Sequence, residues 1–158
     1  MRKYDNYIDS NIEWLGDIPS HWTFTKNKRV LNLLTDFTAN GSFGDLAKNV
    51  QYLDSGYARL VRLTDLRLNL NNSGLYVSKY SYEYLKKSSL KGGELVVANV
   101  GANVGTVCIV PETDEIKTLG PNMFLVGYKN VLNKKYIFYL LCSDFLQYGY
   151  PPEFSSVS

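Results

Sequence analysis

The spacing of hydrophobic positions changes several times along the chain and predicts short elements of both kinds. Three short apolar runs bounded by turn residues indicate buried strands: 94–98, 104–110 and 122–128. Behind Asn133, a favourable N-cap residue, positions 134–148 carry apolar side chains at helical spacing. The pattern at 23–34 permits a further short helix whose basic residues face water.

Two segments have a less regular pattern. Residues 35–51 contain Asp, Asn, Gly and Ser with few large apolar groups, which predicts a long loop. In the segment 58–70 the apolar alternation breaks around Thr64 and Asp65. This predicts a strand, a break and then a second short strand.

The overall order of elements indicates the fold class. Ser81 is expected to cap a helix that runs to Lys87, and 111–118 is expected to be a polar connection. Helices and strands then follow one another without the regular alternation of a doubly wound fold. The sequence therefore predicts an α+β fold: a single compact domain with a mostly antiparallel, twisted β-sheet, a few flanking helices and long loops.

The ends of the chain are expected to differ from its middle. Residues 1–22 combine apolar anchors with turn formers and are predicted to be an N-terminal arm packed on the domain by Trp14 and Trp22. Residues 23–150 form the predicted domain, and the polar tail 151–158 is expected to be frayed.

Composition and charge narrow the functional classes. The formal net charge is +2, too mild to indicate a nucleic-acid partner and not acidic enough to exclude one. A single histidine, His21, and two distant cysteines, Cys108 and Cys142, argue against a zinc site and a disulfide framework, and reduced cysteines fit the cytosol. With neither a signal peptide nor an apolar run approaching the roughly 20 residues of a membrane span, we expect a cytoplasmic protein with no membrane partner.

No constellation of catalytic groups stands out. Glu112, Asp114 and Glu115 are interpreted as solvated charge, and His21 has no evident Ser or Cys partner. Thirteen tyrosines slightly favour a binding module over an enzyme, because Tyr suits surfaces that become covered. We expect no catalytic residue and no metal site.

The glycine-rich segment 101–105 is the most conspicuous local pattern. It lacks the spacing of a dinucleotide fingerprint, the Lys of a phosphate loop and the Ser of a nucleophile elbow. Two interpretations stay open. One is a tight connection with positive φ at the glycines. The other is a loop that brings Asn99 and Asn103 to a ligand such as the edge of an adenine, which Asn can read with two hydrogen bonds.

Five segments of the chain, taken in order, carry a family resemblance. They are DSNIEWLGDIPSHW (9–22), YARLVRLTDLRLN (57–69), KGGELVVANVGANVGTVCIVP (91–111), TLGPNMFLV (118–126) and NKKYIFYLLCS (133–143). With them the chain, from Asp9 to about Tyr148, resembles a target recognition domain of the specificity subunit of type I restriction-modification enzymes.

The resemblance implies a DNA-binding domain without catalysis. It would read one half of a bipartite target on double-stranded DNA. Methyltransferase subunits that use S-adenosylmethionine, and restriction subunits that use ATP and Mg, would act on that DNA, so no cofactor belongs to this chain. The sequence has no heptad pattern for the spacer helix of the family. We therefore expect a fragment, a truncated or rearranged subunit, or a half-subunit that lacks its dimerisation helix, with dimerisation still possible.

Sequence readout in the major groove is the expected mechanism, and the candidate residues form four groups. They are Lys48, Asn49 and Tyr52; Arg59, Arg62 and Thr64; Asn99 and Asn103; and Lys26, Lys28 and Arg29 as phosphate contacts. Alternatively, Arg59 and Arg62 are sheet-face charges matched to Asp54 and Asp65, and Lys26, Lys28 and Arg29 lie on a solvated helix face. A rival function is a remnant protein-interaction module that docks on a methyltransferase without reading DNA.

Overall fold

The computed structural model describes residues 4–13, 15–130, 132–143 and 146–147. These residues form eleven β-strands: β1 (Tyr7–Asp9), β2 (Asp17–Pro19), β3 (Leu31–Asp36), β4 (Tyr52–Leu53), β5 (Ala58–Val61), β6 (Leu75–Val77), β7 (Ser89–Leu90), β8 (Leu95–Ala98), β9 (Val107–Ile109), β10 (Lys117–Leu119) and β11 (Met123–Tyr128). They also form five α-helices: α1 (Asn27–Val30), α2 (Phe43–Asn49), α3 (Leu63–Arg67), α4 (Lys79–Tyr84) and α5 (Lys134–Leu141). Short 3₁₀ turns lie at Phe37–Asn40, Lys86–Ser88 and Gly101–Asn103.

The strands of the described residues build three sheets. A hairpin pairs β1 with β2, a five-stranded sheet has the order β4-β6-β5-β10-β7, and a four-stranded sheet has the order β3-β11-β8-β9. Within them, β5 and β10 run parallel, with Arg59 opposite Lys117, and all other pairs are antiparallel. The predicted α+β class with a mostly antiparallel sheet is confirmed, although the strands divide among three sheets.

Two apolar cores lie on opposite faces of the five-stranded sheet. Successive side chains of a strand point to opposite faces, and β5 contributes Ala58 and Leu60 to one core and Val61 to the other. The first core also contains Phe37, Leu46, Val77 and Leu85, under helices α2 and α4. The second contains Leu66, Leu70, Leu90, Val96, Val110, Leu119, Met123 and Leu125, under helix α3 and against the four-stranded sheet. The two faces therefore carry different helices, and this separates the candidate residues.

Several predicted elements are confirmed. The strands expected at 94–98, 104–110 and 122–128 are present as β8, β9 and β11, but of these only β8 is mostly buried. Strand β9 covers only Val107–Ile109 and has no buried residue, and β11 is partly buried. Asn133 caps α5, because its Oδ1 accepts hydrogen bonds from the backbone N–H groups of Lys135 (2.9 Å) and Tyr136 (3.2 Å). Helix α5 ends at Leu141, short of the predicted end at 148, a position outside the described residues.

The pattern at 23–34, which permits a short helix, contains one that is only four residues long. Only Asn27–Val30 is helical, and Leu31 begins β3, which pairs with β11 as far as Asp36. Backbone pairing with a strand about ninety residues away overrides the local helical pattern, a common outcome for weak propensities.

The long loop expected at 35–51 is wrong. Asp36 accepts a hydrogen bond from the N–H of Ala39 and begins a 3₁₀ turn, and Ser42 accepts one from the N–H of Asp45 and caps α2. Short polar side chains here act as helix caps rather than as loop formers. Leu46 on α2 is buried in the core and holds the helix on the sheet.

Two further boundaries need correction. The cap of α4 is Ser78, whose hydroxyl accepts from the N–H of Ser81, while Ser81 lies buried inside the helix. The polar connection 111–118 contains the start of strand β10, where Lys117 is fully buried. The ammonium group of Lys117 donates to the backbone carbonyls of Thr113 and Glu115 and to the Thr113 hydroxyl, which satisfies its buried charge with oxygen partners.

The N-terminal segment is a hairpin, and the sequence pattern did not predict its strands. Trp22 follows the hairpin and meets Tyr136 of α5 edge-to-face at 6.4 Å between ring centroids. The other predicted anchor, Trp14, lies outside the described residues, as does the tail 151–158. Across the described ranges, no helix has the length and apolar character needed to cross a membrane.

Candidate nucleic-acid interface

Helix α3 replaces the second short strand expected in the segment 58–70. Its start depends on Asp65, whose carboxylate accepts the backbone N–H of Arg62 (2.8 Å) and both Nε and Nη2 of the Arg62 guanidinium (2.9 Å each). Asn72 adds a fourth hydrogen bond at 2.7 Å. A carboxylate that accepts hydrogen bonds from N–H groups in the first turn stabilises a helix start. Thr64 and Asp65, which predicted a break between two strands, therefore belong to the first turn of a helix.

The charges of Arg62 and Asp65 are matched. Burial alone would raise the pKa of the Asp65 carboxyl, but hydrogen bonds from Arg62 and Asn72 outweigh burial and lower the pKa below its ordinary value. The side-chain hydrogen bonding between Arg62 and Asp65 also raises the pKa of the Arg62 guanidinium. Arg62 therefore has the ion-pair partner that the alternative interpretation expected, and its guanidinium is committed to the start of α3.

Arg59 is buried, and its side chain stabilises the turn at residues 70–72. Its guanidinium donates to the backbone carbonyls of Leu70 (2.9 Å) and Asn72 (3.0 Å) and to the side chain of Asn72 (2.7 Å). Its ion-pair partner is Glu115 at 3.3 Å, so neither Asp54 nor Asp65 fills this role, contrary to the alternative expectation. The side chain is 3% exposed, which leaves no surface for a base edge in this structure.

The turn that Arg59 holds is strained. Leu70 has a φ of +60°, a left-handed conformation that costs a leucine roughly 1–2 kcal/mol. Its side chain is buried in the core and its carbonyl is bound by Arg59. These contacts offset the strain and keep the chain after α3 in one conformation.

Arg67 and Asn103 meet on the outer side of α3. The Nη2 group of Arg67 donates to Oδ1 of Asn103 at 2.7 Å, and both residues are exposed. The contact is possible because α3 packs against β9, the strand that follows the glycine loop. Thr64 is exposed three residues before Arg67, and this spacing places the two on the same helix face.

Arg67 was missed as a candidate although its segment was singled out. The signal was its i,i+3 spacing to Thr64, which has meaning only if residues 63–67 are a helix. Because the segment was predicted as a strand, break and strand, that spacing carried no information. The asparagine partner, 36 residues away, has no signature in the local sequence.

The glycine loop is the tight connection that the first interpretation predicted, and ligand binding by its asparagines stays a prediction. Gly101 and Gly105 have φ values of +78° and +87°, as expected for a tight connection. The loop also presents Asn103 at the surface, flanked by Val100 and Val104, which are more than half exposed.

Asn99 occupies a different place from Asn103. Its backbone N–H donates to the carbonyl of Asn122 at 3.1 Å. Its side-chain oxygen is buried and has no donor among the described residues. Of the two asparagines, only Asn103 presents its side chain next to an arginine.

The residues Lys48, Asn49 and Tyr52 lie on the other face of the five-stranded sheet, with α2 and β4. The side chain of Asn49 donates to the backbone carbonyl of Asp45 (2.8 Å) and accepts from the hydroxyl of Tyr80 (2.7 Å). Lys48 is exposed and Tyr52 is half-exposed, and burial raises the pKa of the Tyr52 hydroxyl. Helices α2 and α3 cover opposite faces of the sheet, so this group does not lie on the same surface as Arg67 and Asn103.

Lys26 and Lys28 lie in a third part of the domain. Both are exposed, one just before α1 and one inside it, ahead of the edge strand β3. This placement agrees with a solvated helix face and leaves the phosphate-contact prediction open.

The thiols give no sign of activation. Cys108 is half-buried in β9, whereas Cys142 is exposed at the end of α5. Burial raises the pKa of both thiols, which disfavours the reactive thiolate. No cluster of His, Cys, Asp and Glu suited to a metal ion occurs within the described ranges.

The α3–loop surface, defined as Thr64, Arg67 and Asn103, is thus an exposed group of hydrogen-bonding side chains on a packed helix and an anchored loop. Comparison with known proteins gives no matching family model. It likewise gives no similar curated protein.

Proposed function

We propose that this chain is a sequence-specific DNA-reading domain of the kind found in type I restriction-modification specificity subunits. On this proposal it reads one half of a bipartite target in the cytoplasm. Methyltransferase and restriction subunits carry the catalysis, together with S-adenosylmethionine, ATP and Mg, and this chain is not an enzyme. The resemblance of five ordered sequence segments supports the proposed family, and the α3–loop surface supports the proposed chemistry.

The observation that carries the proposal is the contact between Arg67 and Asn103. Arg and Asn are the side chains best suited to base edges in the major groove, and a threonine hydroxyl accompanies them on α3. The group is held by a helix on a buried core and by a loop with anchored ends, so binding would order few new residues. Lysines elsewhere on the surface, including Lys26, Lys28 and Lys48, are available for phosphates.

Selection from a random duplex pool tests the proposal. The full chain is incubated with the pool at low salt, and the retained DNA is sequenced. We expect enrichment of one short motif, and log K should fall with log salt with a slope near −0.9 for each phosphate contacted. If no motif is enriched by the chain alone, or by the chain fused to a spacer helix and assembled with a methyltransferase, the proposal is wrong.

A protein-interaction module is the second candidate, and a separate surface favours it. Trp22, Tyr136 and Tyr139 are 43%, 49% and 69% exposed where the hairpin segment meets α5. Exposed aromatic side chains are enriched at protein interfaces. This candidate predicts methyltransferase binding that tolerates salt and is lost in Tyr139→Ala, without any DNA affinity.

A further inference from the structure

We propose that Arg67 reads a guanine within the target and that Asn103 positions it. This inference rests on the proposed function and deepens it, because it names the base and the residue that reads it. It departs from the sequence expectation, in which Asn103 itself was the base reader and Arg67 had no role.

The first argument is charge. Three arginines lie between 59 and 67. Two of them are paired with carboxylates, the buried Arg59 with Glu115 and the partly exposed Arg62 with Asp65. These are the two ion pairs found among the described residues. The hydrogen-bond partner of Arg67 is instead the neutral side-chain amide of Asn103. Arg67 therefore keeps its positive charge for an outside acceptor.

The second argument is geometry. A guanidinium carries five N–H donors, and the contact with Asn103 uses one of them. The remaining donors include the pairs needed for a fork to O6 and N7 of guanine, the commonest specific arginine contact in the major groove. Adenine presents an N–H donor where guanine presents O6, so the same fork discriminates against it.

The third argument is pre-organisation. An unrestrained arginine has large rotamer entropy to lose on binding. The hydrogen bond to Asn103 and the packing of α3 on β9 restrict Arg67 before DNA arrives. Because Oδ1 of Asn103 accepts a hydrogen bond from Arg67, the amide is oriented toward the guanidinium and acts here as a positioning group.

A phosphate contact by Arg67 makes a different prediction. A lost phosphate contact weakens binding to all sequences about equally and reduces the salt slope by about 1. A lost base contact relaxes the preference at one position and leaves the others unchanged.

The test compares the motif selected by the full native chain with those of five variants, one of which combines Arg67→Ala with Asn103→Ala. Arg67→Ala removes the fork, Arg67→Lys keeps the charge without the fork, and Asn103→Ala removes the positioning amide. Arg29→Ala is the matched control, because Arg29 is also an exposed arginine but lies at α1. Circular dichroism and thermal unfolding verify that each variant folds, and Arg67→Lys serves if Arg67→Ala does not.

We expect a guanine in the native motif whose preference falls by about 5- to 150-fold in Arg67→Ala. In Arg67→Lys it should fall less, because the ammonium group can also donate to O6 and N7. Asn103→Ala should weaken the same position less, and the double variant should be no worse than Arg67→Ala. Arg29→Ala should leave the preference unchanged.

Three results would overturn the inference. A motif whose guanine preferences all survive in Arg67→Ala leaves the proposed function standing and removes only the role of Arg67. Uniform weakening with a reduced salt slope in Arg67→Ala assigns Arg67 to a phosphate instead. No motif with the native chain, alone or assembled, overturns the inference and the proposed function together.

Discussion

The buried carboxylate of Asp65 accepts three hydrogen bonds from Arg62, one from the backbone N–H and two from the guanidinium. Asp65 has no exposed side-chain surface, whereas Arg62 is 38% exposed. The pair joins the end of β5 to the start of α3, so the position of Arg67 at the far end of that helix depends on it.

Replacing Asp65 by Asn should destabilise the domain at neutral pH. Hydrogen bonds to charged groups contribute about 1.5–3 kcal/mol, and we expect a loss of this size in the free energy of unfolding. Urea unfolding at pH 7 measures it. Asp54→Asn is the matched control, because Asp54 is exposed and forms no ion pair among the described residues. Equal losses in the two variants would contradict the role of the Asp65 pair.

The stability difference between the native chain and Asp65→Asn should depend on pH. The pKa of Asp65 is lowered in the folded state, while in the unfolded chain it takes its ordinary value of roughly 3.9. Between the two values the unfolded state binds the proton more tightly, so stability falls as the pH falls. The difference should be complete above the unfolded pKa and vanish as the pH passes below the folded one. Urea midpoints over the acid range measure this, and a constant difference would contradict it.

Replacing Arg59 by Ala should damage folding rather than DNA recognition. The change leaves the carbonyls of Leu70 and Asn72 without their donor and releases the strained turn at Leu70. We expect at least about 2 kcal/mol of lost stability. At a temperature where the variant is folded, the selected motif should be unchanged. A motif altered at one position in a fully folded Arg59→Ala chain would restore Arg59 as a base contact.

Two glycines with positive φ should respond differently to alanine. At Gly101 (φ +78°) an added Cβ meets open space, so Gly101→Ala should cost only the left-handed strain, roughly 1–2 kcal/mol. At Gly74 (φ +61°) the added Cβ lies 2.8 Å from Nε of Arg59, so Gly74→Ala should cost more by displacing the guanidinium. Thermal unfolding of both variants measures the difference. Equal shifts in Tm would show that displacing the Arg59 guanidinium does not destabilise the domain.

The sequence was most informative where one element carries its own signal. Asn133 predicts the start of α5 because a cap acts on the N–H groups two and three residues later, within the same segment. It was least informative at 35–51, a segment whose composition is typical of a loop although Asp36 and Ser42 act there as helix caps. Capping and loop formation use the same side chains, and only the burial of Leu46 against the sheet separates the two outcomes.

The three arginines between 59 and 67 show where local sequence stops being sufficient. By itself the sequence determined the α+β class, the central strands and the one arginine partner that is close in the chain, Asp65 three residues after Arg62. Only the tertiary structure decided that Arg59 is buried against Glu115, 56 residues away, and that Arg67 meets Asn103, 36 residues away. The reason is physical: the availability of a guanidinium depends on the groups that packing brings to it, and packing joins residues whose separation along the chain leaves no pattern in the sequence.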